Sequence, residues 1–80
     1  MAFVKHIQKD EGREIRSLHP TQLVCKYIAT NQNGRRILQL NSYGSDERDV
    51  PGKLSQTLQF DEDSAAQLYA VLKAEFGFGD

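Results

Sequence analysis

One cysteine, Cys25, and two histidines, His6 and His19, are the only thiol and imidazole metal ligands among the 80 residues of this chain. A lone thiol excludes an internal disulfide and any multi-cysteine zinc site, and two differently placed imidazoles suggest no metal centre, so no cofactor is expected. No apolar run approaches the roughly 20 residues that cross a bilayer. The opening Met1-Ala-Phe-Val-Lys also lacks the basic start and apolar block of a secretory signal. The expectation is a cytoplasmic protein that makes no membrane contact. The length allows one domain, residues 1–80, and a chain this short buries only about 60 to 65% of its unfolded surface. Little room is left for a deep catalytic cavity.

Catalytic constellations are missing too. Gly44 and Gly52-Lys53 invite comparison with a phosphate-cradling loop, but seven residues separate the glycines where four are required, and Leu54 stands where Ser or Thr should. Asp46, Glu47 and Asp49 lack calcium-loop spacing, and the cluster at residues 61–63 is accounted for by a helix N-terminus. Ser42, Ser45, Ser55 and Ser64 lie in no nucleophile motif, and neither histidine has an acidic residue placed to orient it. The chain reads as non-enzymatic.

What it does have is clean periodicity. Leu54, Gln56, Leu58 and Phe60 alternate with Ser55, Thr57 and Gln59, and Leu38 and Leu40 alternate with Gln39 and Asn41, the two-residue period of strands. These two segments, 35–43 and 54–60, are expected to show one oily face and one face of amides and hydroxyls. Residues 22–30, rich in β-branched and aromatic types, form a third strand, joined to 35–43 by the turn residues Asn33-Gly34. With Lys26 in solvent, Leu23, Cys25, Tyr27 and Ala29 would face inward by parity, although Val24 and Ile28 suit an interior nearly as well. Residues 3–19 can form a first hairpin turning at Gly12, with Pro20 ending it, although the second arm, 13–19, also reads as irregular. Residues 44–53 are polar and carry the turn dipeptide Pro51-Gly52, so an exposed loop is expected there.

Asp61 is a suitable N-cap, with Glu62 and Asp63 in the first turn. Ala65, Leu68, Tyr69, Leu72 and Phe76 then recur at helical spacing until Gly77. The predicted fold is α+β: an antiparallel β-meander of four to five strands packed by its oily face on one C-terminal α-helix.

Charge is split along the chain. Residues 1–36 carry seven basic and three acidic side chains, a net +4, whereas residues 37–80 carry three and eight, a net −5. A basic face is the footprint of a nucleic-acid contact, although both sets could equally be solvated. On the amide face Gln39, Asn41 and Gln59 offer hydrogen bonds and Tyr43 a stacking surface, with Lys26, Arg35, Arg36 and Lys53 around the edge for phosphates. Ordinary solvent-facing strand residues, or two sheets packed in a dimer, account for the same residues.

The order of elements, with Pro51-Gly52-Lys53 leading into Ser55-Gln-Thr-Leu-Gln-Phe-Asp-Glu-Asp-Ser-Ala-Ala-Gln-Leu, resembles the positive-cofactor-four family of transcriptional coactivators over roughly residues 23–72. The resemblance implies a curved four-stranded sheet backed by a C-terminal helix, a homodimer, and single-stranded DNA held by Lys26, Arg35, Arg36, Tyr43 and Lys53. This chain departs from the family in the acidic Asp46, Glu47 and Asp49. Residues 43–61 also look like small single-domain proteins encoded in bacteria and their mobile elements, a likeness that carries no function. Two readings stand: a holder of single-stranded DNA or RNA, and a protein-interaction module, adaptor or inhibitor, using the sheet or the acidic 44–53 segment.

Overall fold

The computed structural model describes residues 1–43 and 54–79, with the side chains of Leu54 and Ser55 excepted. The strands are β1 (Ala2–Phe3), β2 (Val24–Gln32), β3 (Arg35–Tyr43) and β4 (Leu54–Phe60), and the helix is α1 (Glu62–Phe76). The expected loop at 44–53 lies outside the described residues.

β2 and β3 pair antiparallel about a two-residue turn in which Asn33 and Gly34 both take positive φ, 52° and 79°. Two successive left-handed residues match the natural twist of the flanking strands, which is why Asn-Gly serves here. β3 then pairs antiparallel with β4, placing Leu38 opposite Phe60, Leu40 opposite Leu58, Gln39 opposite Gln59 and Asn41 opposite Thr57. Partners in register share a face, so the oily and amide faces are as the alternation predicts. Cys25, Tyr27 and Ala29 register with Ser42, Leu40 and Leu38 on the oily side, but they do not face an interior as expected: all of β2 is exposed, because the helix does not reach across the sheet to cover it.

The N-terminal segment differs from expectation. The four-stranded sheet has the order β1-β4-β3-β2, and β1 pairs with β4 in parallel, so the sheet is mixed rather than an antiparallel meander. Gly12 does turn the chain, at φ 81°, but residues 13–19 form no strand and no hairpin closes. Phe3 instead registers with Gln59, and Val4 N–H donates to the Gln59 carbonyl at 2.8 Å. Beyond that, Gln67 on the helix does the holding. Its Oε1 accepts from Ile7 N–H at 2.9 Å, and its Nε2 donates to the Lys5 carbonyl at 3.1 Å. One side-chain amide thus satisfies the backbone of the strand's continuation, as a neighbouring strand would.

Both helix ends are capped. Asp61 Oδ1 accepts from Ser64 N–H at 3.0 Å, Ser64 Oγ accepts from Asp61 N–H at 3.1 Å, and Gly77 closes the other end at φ 71°. Phe78 folds back so that its ring stacks on Phe76, 5.5 Å between centroids. The helix meets the oily face only near its start, where Ser64 is buried and Ala65 and Leu68 are half-buried; from Tyr69 onward it is exposed. The expected roof therefore covers one corner of the sheet. Among the described residues Phe60, at 4% exposure, is the only buried apolar side chain.

The consequence is a large surface. The chain exposes 7215 Å², against about 4,900 Å² for a compact monomer of its mass. Its radius of gyration is 15.0 Å, where about 11.6 Å is usual. Residues 8–23 account for part of the excess, since all of them are exposed. All of β2 accounts for another part. No described helix is long and apolar enough to cross a membrane.

Two outcomes test these local causes. Gly34→Ala places a Cβ on a left-handed residue and should lower the unfolding free energy by about 1 kcal/mol, read as a fall of up to roughly 1 M in the urea midpoint. The Asp61 carboxyl is held below its ordinary value of 3.8, first by the Ser64 backbone N–H, against which desolvation works, and then by the Ser64 hydroxyl and Arg35. A carboxyl depressed by folding contributes stability that is present above its unfolded pKa and lost as pH falls through the folded one. The melting temperature should accordingly drop more between pH 5 and pH 2 in the native chain than in Asp61→Asn, which can still cap the helix but does not titrate; parallel curves would remove Asp61 as the cause.

Candidate functional site

Alternation and register decide where each candidate side chain lies. Odd positions of β3 and even positions of β2 share the amide face, which brings Lys26, Arg35, Gln39, Asn41, Tyr43 and Gln59 to one side of the sheet. Arg36 belongs to the opposite face by the same parity, where its guanidinium donates to Asn31 Oδ1 at 3.3 Å and borders a hollow with Leu38, Phe60 and Tyr69. Lys53 lies outside the described residues.

A directed relay runs across the amide face. Gln59 Nε2 donates to Gln39 Oε1 at 2.9 Å, Gln39 Nε2 donates to Asn41 Oδ1 at 3.0 Å, and Thr57 Oγ1 donates to the same Asn41 oxygen at 3.0 Å. Asn41 and Thr57 are each only 5% exposed. Buried and accepting twice, the Asn41 carbonyl is a strut inside the sheet and has no lone pair left for a ligand. Gln39 and Gln59 are half-buried, and each spends one amide N–H in the relay and keeps a second.

Two aromatic rings flank the relay, each with a cation over it. Lys26 Nζ stands 5.2 Å from the centroid of Tyr43, and the Arg35 guanidinium stands 5.8 Å from that of Phe3. Arg35 also donates to Asp61 Oδ2 at 2.9 Å, so its charge is largely answered by the helix cap. Lys26 has no carboxylate partner among the described residues, and none of the described strand residues on this face is acidic.

Between Phe3 and β2 the face is concave. Ile28 and Thr30 form one wall and Ile37 and Gln39 the floor, with Gln59, Phe3 and Arg35 closing the end. Sequence reasoning passed over these residues for two different reasons. Ile28, Thr30 and Ile37 follow from the same parity that places Lys26 and Gln39, once it is applied beyond polar side chains. Phe3 could not be found that way, because it reaches the site through a parallel pairing with β4 more than 50 residues away.

Chemically, the surface offers apolar and aromatic patches at intervals along a sheet, amide donors between them, and one cation, Lys26, that has no carboxylate partner among the described residues. Among the described residues there is no cluster of three His, Cys, Asp or Glu side chains able to hold a metal ion. Thr57→Val removes the hydroxyl donor but keeps the shape, and should cost about 1 kcal/mol of stability in chemical denaturation while leaving the accessible groups of the face unchanged.

Comparison with protein-family models, with curated proteins and with solved structures yields no match for this chain.

Proposed function

We propose that the amide face holds single-stranded nucleic acid, the bases resting on Phe3, Tyr43 and the Ile28–Ile37 patch and the phosphates meeting Lys26. The supporting observation is the pair of aromatic rings on one sheet face, each with a cation over it, on strands that bring no described carboxylate to that face. Every base has a π-face, so aromatic platforms along a sheet bind single strands with little regard to sequence. Gln39 and Gln59 add donors for base edges, and Asn41 acts by holding them in place. The layout resemblance to the positive-cofactor-four family points the same way.

The charge on this face sets the expected strength. With Lys26 as the one cation that no described carboxylate answers, about one phosphate is met per chain, so log K should fall against log salt with a slope near −0.7. Titration of a fluorescent single-stranded oligonucleotide should then show binding about two- to threefold weaker at 200 mM than at 50 mM salt. Lys26→Glu and Phe3→Ala should each weaken it by about tenfold, the second through lost stacking. No binding at 50 mM salt would overturn the reading.

A second reading is favoured by a different observation. Tyr27 is 72% exposed and Leu58 41%, both on the oily face, and Leu72 and Phe76 are exposed on the helix. Uncovered aromatic and aliphatic side chains on this scale mark protein-interaction surfaces, and a protein-interaction module would use this side of the molecule.

A further inference from the structure

β2 ends the sheet. Because Gln32 and Arg35 flank a two-residue turn, they form the hydrogen-bonded pair that closes it, and the alternation then assigns the backbone groups of Val24, Lys26, Ile28, Thr30 and Gln32 to β3. The N–H and C=O groups of Cys25, Tyr27, Ala29 and Asn31 point outward, and among the described residues no strand lies on that side. Exposed edges are ordinarily blunted by proline, bulges, short length or several charges. This one has nine residues, no proline, no register shift against β3 and a single charge, Lys26.

We propose that β2 pairs antiparallel with β2 of a second copy about a two-fold axis at Ile28, joining two sheets into one of eight strands. The occupant is argued from the strand itself. Ile28 is the midpoint of Val24–Gln32, so this register alone pairs all nine residues. It sets Tyr27 against Ala29, Cys25 against Asn31 and Lys26 against Thr30 of the partner copy, matching outward groups with outward groups and opposing no like charges. Each face keeps its character, since every pair has the same parity. Val24 at 60%, Tyr27 at 72% and Ile28 at 54% exposure supply apolar area to cover.

Edge pairing stands whether or not the sheet binds nucleic acid. Its consequence for the site rests on that reading: Ile28 and Lys26 of both copies come to the centre of one uninterrupted amide face, doubling the track available to a single strand.

Sedimentation or light scattering on the full chain tests the pairing. The mass should be twice the 9.1 kDa of the chain, and Ala29→Pro should halve it, because proline there removes an outward N–H and leaves the bonds to β3 intact. Ile28→Lys, which sets like charges face to face at the axis without touching the backbone, should do the same, so the test survives if the proline variant fails to fold. Asn31→Cys should give a disulfide-linked dimer with Cys25 on mild oxidation, whereas Cys25 alone should not, being too far from its own copy in this register. A monomeric native chain overturns the proposal, and so does a dimer that both Ala29→Pro and Ile28→Lys leave intact. A dimer that binds no oligonucleotide supports the pairing and removes the function. Oligonucleotide binding by a native monomer does the reverse.

Discussion

The alignment of β3 with β4 is the constraint on which the molecule depends, and the buried relay through Asn41 holds it. A slip of one residue would bring Gln39 and Asn41 against side chains of the opposite face, leaving the buried Asn41 amide and Thr57 hydroxyl and the half-buried Gln39 amide without partners. Apolar pairing alone is weak insurance here, since Leu38 and Leu40 are only half-buried and Leu58 is exposed. Hydrogen bonds with direction, between Gln59, Gln39, Asn41 and Thr57, distinguish one register from its neighbours in a way that aliphatic contacts do not.

The same economy of burial shapes the surface. An 80-residue chain with one buried apolar side chain among its described residues leaves hydrophobic groups in water on β2, β4 and the helix, and no described strand covers the outer edge of β2. Area removed from water contributes roughly 25 cal/mol per Å², so uncovered apolar surface of this extent favours association. The face that carries the aromatic and cationic groups ends at β2, along whose outer side no described strand lies.

Local order was legible because its causes are local. Asn33-Gly34 needs no distant partner to take left-handed φ, Asp61 finds its hydrogen-bond donor three residues on, and Gly77 terminates a helix by its own conformational freedom. Alternation in residues 35–42 and 56–60 assigned faces correctly for the same reason, up to the register shift between Ser42 and Tyr43. The first hairpin failed instructively: Gly12 turns as its neighbours suggest, yet a turn does not guarantee that its arms pair. Here the N-terminal arm finds better company beside β4, where Gln67 completes its hydrogen bonding. Likewise Asn41 and Gln39 are alike in composition and parity, and only the packing around them makes one a strut and the other half accessible.

By itself, then, the order of amino acids determined the strands β2, β3 and β4, the turn, both helix caps and which side chains share a face, since each depends on interactions within a few residues or on a fixed period. Tertiary structure alone decided that Phe3 joins the amide face through a parallel pairing, that Arg35 is answered by Asp61 while Arg36 looks the other way, and that the helix covers only a corner of the oily side. Those outcomes turn on contacts between segments remote along the chain, whose cost in loop entropy and gain in burial no local pattern records.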